Sequence, residues 1–343
     1  MTSMLITGMQ PRIEFLRHGP GLAGIAGPGA ESREETGSVS GGEGFWERAG
    51  TEFAKYPGNF DYPDTVMSDT SARYYVSGIH SKQPWFVLSA ARYFSVAGSD
   101  NPSISHFYGF EAGRAADQTM AIPDGCIDIL FDCNENRPEA KVCGTSMKAT
   151  RVPFHPGHRY FGVRFVPGVI PDFLDASAEE VVGQELDLLD AAPVVRDTFE
   201  QIVSQREFAL QARIFSRFYA DKKPRQASDA TNRAVLAIEA KHGNIRIRDL
   251  EKLTGCTTRT LQRQFHSDIG MSPKVFCRII RCQSAVYDIN HREKLAFSDL
   301  ACDLGFSDQS HFLREFKQLV STTPVDYQRR IQSDTYVSRL RCG

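Results

Sequence analysis

The last third of the chain contains an internal repeat, and this constrains the fold more than any other feature. Asp249-Leu250 recurs as Asp299-Leu300, and Gly255 recurs as Gly305, at an offset of 50 residues. Beyond the glycine, Leu261, Arg263, Phe265, Pro273 and Phe276 recur as Phe312, Arg314, Phe316, Pro324 and Tyr327, now at an offset of 51. One residue has therefore been inserted just after the second glycine. An ordered series of this kind is hard to obtain by chance. It implies two copies of one structural unit.

Each copy reads as helix, tight turn, helix. In the first copy the spacing predicts a helix over Ile247 to Thr254, with Ile247, Leu250 and Leu253 on its apolar side. Gly255 supplies the left-handed conformation that ends it. Thr257 or Thr258 caps the next helix, whose Leu261, Phe265 and Ile269 face inward. In the second copy Ser298 is expected to cap a helix holding Leu300, Ala301 and Leu304. Gly305 ends that helix, and Ser307 is expected to cap the one with Phe312, Phe316 and Leu319 inward. A helix from Asn232 to His242, ending at Gly243, completes the first copy. Between the copies, Ser272-Pro273 places a cap before a proline at the first helical position. Val275, Phe276, Ile279, Ile280 and Val286 then run down a linker helix, Ser272 to Tyr287, that can bury against both copies. Two short helices joined by a glycine turn form a helix-turn-helix, whose second helix can enter the DNA major groove.

Charge is consistent with a polyanionic partner for this region. From Ser228 onward there are 18 Lys+Arg against 13 Asp+Glu, a balance of +5, which leaves −7 for the rest of a chain whose net charge is −2. A basic domain on an acidic body is a weak signal alone, and it agrees with the motif.

The residues Gly305-Phe306-Ser307-Asp308-Gln309-Ser310-His311-Phe312-Leu313-Arg314-Glu315-Phe316-Lys317, followed by Thr323-Pro324 and Tyr327, resemble the second helix-turn-helix of the AraC/XylS family of bacterial regulators. Leu261-Gln262-Arg263-Gln264-Phe265 with Gly270-Met271-Ser272-Pro273 is similar to the first. The resemblance covers about 100 residues. Ser321 departs from it, because the family usually has glycine before the Thr-Pro pair, and a shift at the end of the last recognition helix is expected there. The resemblance implies a sequence-specific DNA-binding transcription regulator, located in the cytoplasm and reading two successive major-groove segments. Its partners would be double-stranded operator or promoter DNA, a small-molecule effector, RNA polymerase and a second copy of the chain. The alternative is an enzyme or repair-type domain fused to a DNA-binding domain.

Arg bonds guanine O6 and N7 bidentately, and Gln does the same for adenine N6 and N7. By analogy with the family, Arg259, Gln262 and Arg263 are base-contact candidates on the first recognition helix, and Gln309, Ser310 and Arg314 on the second. The plain alternative is a solvated helix face. For Arg263 and Arg314 it is a scaffold role, pairing with a carboxylate or a phosphate. Thr258, Lys274, Arg281 and Lys317 are phosphate-contact candidates.

Ahead of the repeat the texture is different. Residues 1–70 are expected to be poorly structured, since Gly19 to Gly50 is dense in Gly, Ser, Ala and Glu without apolar period. Residues 71–190 are expected to form a β-rich, sensor-like domain. Trp85-Phe86-Val87-Leu88, Ile127 to Phe131 and Tyr160 to Phe165 are short runs rich in aromatic and β-branched residues, which suggests a small sandwich or barrel. Ile127, Ile129 and Phe131 alternate with Asp128 and Leu130, as in a strand with one face inward, and a pocket is expected beside that strand. Asp124-Gly125 reads as the turn leading into it. Pro123 to Phe131 and Gly162 to Gly168 also resemble an N-terminal domain found ahead of AraC-type domains, and imply a sensor module without naming a ligand.

Residues 191–227 read as a helical connector with Val194, Val195, Phe199, Ile202 and Val203 on one face, suited to dimerisation or to packing. Residues 228–332 form the double helix-turn-helix domain, and 333–343 a tail. The fold class is thus α+β: a β-rich N-terminal domain followed by an all-α C-terminal domain with two helix-turn-helix motifs. Eight cysteines are scattered without a CxxC pair, and Cys126, Cys133, Cys143, His155 and His158 are read as packing residues. No nucleophile elbow, P-loop or dinucleotide fingerprint is present. No catalytic residues, metal or cofactor are expected, and no apolar run reaches membrane-spanning length.

Overall fold

The computed structural model describes residues 83–114, 119–292, 295–333 and 336–342, all within the compact unit Tyr62–Gly343. Residues 1–70 lie outside the described residues. A β-rich region is followed by a helical one, so the α+β class holds.

The chain enters through α1 (Pro84–Ser89) and then lays down β1 (Ala90–Ala97), β2 (Ile104–Ala112), β3 (Thr119–Ala121), β4 (Asp128–Asp132), β5 (Glu139–Cys143), β6 (Thr150–Val152) and β7 (Arg159–Phe165). After α2 (Ala178–Val181) come β8 (Glu185–Asp187), α3 (Leu188–Ala191), α4 (Arg196–Ser204) and α5 (Phe208–Tyr219). The main sheet has seven strands in the order β8-β5-β4-β7-β2-β1-β9, where β9 is Leu340–Cys342 from the end of the chain. All pairings are antiparallel except β1 with β9. Strands β3 and β6 form a separate two-stranded sheet.

Two expectations are corrected here. The Trp85 to Leu88 run is helical, not a strand. Gln83 is its N-cap residue and Pro84 occupies the first turn. Trp85, Phe86 and Val87 are all buried because covering elements meet the helix on several sides, and a short apolar run does not reveal its period. The domain is also not a closed barrel: the main sheet is open, with β8 and β9 at its edges, and the two-stranded sheet packs on one of its faces beside helices. The alternation in β4 is real. Ile129 and Phe131 enter the core beneath α2 to α5, while Leu130 enters a second core on the opposite face. Both faces are buried.

Helices α4 and α5 press Phe199, Ile202 and Phe215 onto the sheet of their own chain. The apolar stripe expected in this segment is spent there. Val194 is not part of it, being 60% exposed on a 3-10 turn, Pro193–Val195.

The C-terminal domain comprises α6 (Asp229–Ala240), α7 (Ile247–Thr254), α8 (Thr258–Ile269), α9 (Pro273–His291), α10 (Phe297–Asp303), α11 (Gln309–Val320), α12 (Pro324–Ser333) and the short α13 (Tyr336–Arg339). Helix α7 ends at Gly255 with φ of +70°, and the corresponding Gly305 has φ of +71°. Thr257 caps α8, accepting from the Thr260 amide, and Ser272 caps α9 ahead of Pro273.

In the second copy neither expected serine is the cap. Helix α10 begins one residue before Ser298, on an Ala296 carbonyl that accepts from the amides of Asp299 and Leu300. The Ser298 hydroxyl instead donates to Asp299. Helix α11 is capped by Asp308, not Ser307: its carboxylate accepts from the His311 amide at 2.7 Å. With one residue inserted after Gly305, Asp308 is the counterpart of Thr257 at the offset of 51, so the same position caps both recognition helices.

Candidate nucleic-acid interface

Helix α8 buries Leu261, Phe265 and Ile269 and exposes Arg259, Gln262 and Arg263. Arg259 and Gln262 lie three residues apart and so share one face. Helix α11 buries Phe312, Phe316, Leu319 and Val320 and exposes Gln309, Ser310 and Arg314. Leu313 is half-buried and packs against the core. None of these six exposed side chains makes a hydrogen bond or ion pair with another described residue. Among the described residues Arg263 and Arg314 form no ion pair, unlike Arg278, which donates to Glu315 at 2.8 Å and Gln318 at 2.7 Å. Both recognition faces therefore carry unspent donors, which is what base-edge reading requires.

The phosphate candidates divide into two pairs. Lys274, at the start of α9, and Lys317, in the last turn of α11, project from the surface. Thr258 is engaged: its amide and hydroxyl both donate to Glu251 at 2.5 Å. Those two bonds hold the Glu251 carboxyl below its ordinary range. Arg281 is also engaged, donating to the Gly243 carbonyl at 2.9 Å and lying 5.1 Å over the Phe306 ring. It braces the first copy against the turn of the second.

Helix α9 sets the spacing of the two copies. Its 19 residues extend roughly 28 Å at 1.5 Å per residue. Phe276, Ile279 and Ile280 enter the first copy's core, while Cys282, Ala285, Val286 and Ile289 enter the second. One rigid element is thus buried in both.

The sensor-like region grips this domain at points that no local pattern announced. The Trp85 indole donates to the Val320 carbonyl at 3.2 Å and meets Tyr327 edge-on at 5.5 Å. Arg330 lies over its ring at 4.8 Å. Gln283 of α9 donates to the Pro123 carbonyl at 2.7 Å, and His266 of α8 pairs with Glu179 of α2 at 2.7 Å. At the chain end, Arg339 donates to the carbonyls of Leu88 and Ala90.

Beneath these contacts lies a buried ionic network. The Arg164 guanidinium bonds Asp128 at 2.9 and 2.5 Å and Asp124 at 3.1 Å. Asp124 does more than open the turn into β4. Gly125 does take a positive φ of +77°, but Asp124 also accepts from Gln83 and the Cys126 amide. The Cys and His residues are dispersed. Cys133 lies in the core under α4 and α5, where burial pushes its thiol up to about 11. Cys143 packs on the opposite face. His158 lies between Asp132 at 2.8 Å and Asn134 at 3.1 Å. Among the described residues no group of three His, Cys, Asp or Glu could hold a metal ion, and no helix is long and apolar enough to cross a membrane.

The last third thus has the architecture of a double helix-turn-helix domain, a DNA-binding fold. It resembles the DNA-binding domain of the AraC type. Residues 250–330 match the helix-turn-helix domain family HTH_18. Residues 101–187 match a domain of unknown function, DUF6597. The HTH-type transcriptional activator RhaR of Enterobacter sp. (strain 638) is 35% identical over 75 residues, which are 22% of this chain and 26% of that protein. An uncharacterised HTH-type transcriptional regulator of Haemophilus influenzae is 27% identical over 101 residues, 29% of this chain and 34% of its own. The chain thus matches only about a quarter to a third of the length of these relatives. Among solved structures, a probable AraC family transcriptional regulator from Rhodopseudomonas palustris is 27% identical, covering 30% of this chain and 97% of its own with a TM-score of 0.28.

Proposed function

We propose that the protein is a sequence-specific, DNA-binding transcription regulator whose N-terminal domain controls its C-terminal one. The observation that carries this reading is the pair of recognition helices on one linker helix, each presenting unpaired Arg and Gln side chains outward. Arg259, Gln262 and Arg263 read one major-groove segment, and Gln309, Ser310 and Arg314 read the next, about one turn (~34 Å) away. Lys274 and Lys317 hold phosphates. Thr258 and Arg281 contribute by fixing the helices, and reach phosphate only where the duplex displaces their present partners. The reading places the protein in the cytoplasm, acting without catalysis of its own. RNA polymerase and a second copy of the chain would be partners on the promoter.

The test is selection of binding sites from randomised duplexes at fixed salt, using the full chain. A bipartite preference is expected. Arg259→Ala or Gln262→Ala should weaken binding by about 1–3 kcal/mol and relax one half only, and Gln309→Ala should relax the other. Lys317→Ala should weaken all sequences alike and flatten the salt dependence by about one unit. Absence of any preferred sequence over bulk DNA would overturn the reading.

A further inference from the structure

A cavity of about 90 Å³ opens on the sheet face that meets the second helix-turn-helix copy. Its interior is formed by Phe86, Tyr108, Ile122, Asp124, Asp128 and Leu130, all buried. Its mouth is at Thr150 and Gly183 to Glu185, which are exposed. Most of the lining is apolar. Among the described lining residues the charged ones are Asp124, Asp128 and Glu185, three carboxylates and no base. Arg164 bonds both buried carboxylates, one formal positive charge against two negative, and burial raises the Asp128 carboxyl above its ordinary range.

A second, independent feature points to a ligand. The hydroxyl of Tyr108 is buried and has no hydrogen-bond partner, although buried polar groups are ordinarily paired. The backbone explains how it reaches the cavity. Tyr108 on β2 stands opposite Gly162 on β7, and Gly162 stands opposite Leu130 on β4. A β-carbon at position 162 would fall 2.0 Å from the Tyr108 ring carbon that bears the hydroxyl. Glycine thus lets the ring lie across β7, where Tyr108 and Asp128 both line the cavity. Burial and the Asp128 charge both push this phenol well above its ordinary value, so it stays neutral and can accept a hydrogen bond from a cation.

We propose that this cavity is the effector site of the protein, and that it takes a small molecule with an apolar body and a protonated nitrogen. Tyr108 and the Asp128 carboxylate receive the nitrogen, and Phe86, Ile122 and Leu130 enclose the body. The proposal deepens, and rests on, the reading of the chain as a regulator. The cavity walls lead directly to the DNA-binding domain. Gln83 in the wall bonds both Ile122 and Asp124, and it precedes by two residues the Trp85 that holds Val320. Pro123, between wall residues Ile122 and Asp124, accepts from Gln283 of α9. A ligand that shifts either wall moves a contact on α9 or α11.

The probes are isobutylamine and benzylamine, each compared with its neutral alcohol and its carboxylate counterpart, titrated into the full chain by calorimetry and thermal shift. Saturable binding of an amine is expected, with at least tenfold weaker binding of the alcohol and none of the carboxylate. Tyr108→Phe removes only the unpaired oxygen, so it should keep the melting temperature and weaken the amine at least tenfold. Glu185→Gln, at the mouth, should weaken it about threefold. The amine should also change the affinity for the selected duplex at least twofold. The proposal is overturned if neither amine binds, if alcohol or carboxylate binds equally, if Tyr108→Phe binds as the parent does, or if DNA affinity is unmoved by a bound amine. Selective DNA binding without amine binding sinks this site and leaves the regulator reading standing. Amine binding without any sequence-selective DNA binding sinks the regulator reading instead.

Discussion

The first helix-turn-helix copy is built around its own small core, whereas the second shares its core with the sheet. Leu250, Leu261, Phe265 and Ile269 of the first copy pack with α6 and the near half of α9. Leu300, Phe312, Phe316 and Tyr327 of the second pack in one cluster with Trp85, Tyr108, Phe110 and Leu130. The two copies share one sequence pattern and differ in what surrounds them. On the proposed reading, a change in the N-terminal domain is expected to reach the second copy first. The first feels it mainly through α9 and through the contact of α8 with α2. On the proposed reading the second copy would be the regulated reader and the first the steadier anchor on DNA.

The largest effects should come from truncating the two cores. Phe265→Ala and Phe316→Ala each remove a fully enclosed ring, at an expected cost of about 3–5 kcal/mol. Their reach should differ. Hydrogen exchange should accelerate in α6 to α8 for Phe265→Ala while β1, β2 and β7 keep their protection. For Phe316→Ala it should accelerate in α10 to α12 and also in α1 and the β1 end of the sheet. Equal spread of exchange in both variants would remove the distinction between a private and a shared core.

A middle-sized effect is expected where the first copy meets the sensor-like domain. Gly270 ends α8 with φ of +81°, and a β-carbon there would fall 2.3 Å from the Ala178 carbonyl oxygen. That neighbour is backbone and cannot swing aside. Gly270→Ala should cost about 2–3 kcal/mol, the strain of a left-handed residue plus overpacking. It should push α8 from α2 and weaken the His266–Glu179 pair. Exchange at the Ser177 to Val182 amides would report the separation, and unchanged protection there would exclude it.

The clasp on the second copy is smaller in energy and larger in consequence. Trp85→Phe keeps most of the apolar bulk but deletes the indole donor to Val320. A loss of about 1 kcal/mol is expected in urea titration. If the second copy is the regulated reader, the same variant should alter DNA affinity through the half-site read by Gln309 and leave the half read by Arg259 unchanged. An effect on both halves alike would mean that the clasp acts on the domain as a whole.

The repeat was legible because its signals are local. Gly255, Thr257, Pro273 and the apolar spacing each act within one turn, and helix α7 falls on the residues read for it. The inserted residue was equally visible at Gly305, and the offset of 51 that follows it sets Asp308 opposite Thr257. Ser307 and Asp308 are both good cap residues, and residue type alone does not select the second. The sensor-like region was less legible for two reasons. Its strands are buried on both faces, so alternation does not separate an inside from an outside. Its defining contacts are also remote in sequence: Trp85 with Val320, Gln83 with Asp124, and Arg164 with two aspartates. The alternation in β4 marked the cavity's neighbourhood, but the paired carboxylates and the Tyr108 hydroxyl came together only in the folded sheet.

The smallest expected effect concerns Ser321, the counterpart of Gly270 at the offset of 51. Ser321 adopts φ of +68°, so the chain keeps the left-handed ending of α11 without glycine, and its amide bonds Lys317 as the Gly270 amide bonds His266. The expected shift of the helix end does not occur. The side chain is tolerated because Ser321 is exposed, whereas position 270 faces the Ala178 carbonyl. Ser321→Gly should relieve about 1–2 kcal/mol of left-handed strain, less the 0.4–1 kcal/mol or so that glycine loses by loosening the unfolded chain. A net gain of about 0.5 kcal/mol is expected in urea titration, with the DNA preference unchanged. A destabilised Ser321→Gly would show that the serine makes a compensating contact on this surface, and that the two helix ends differ by more than the neighbour each one faces.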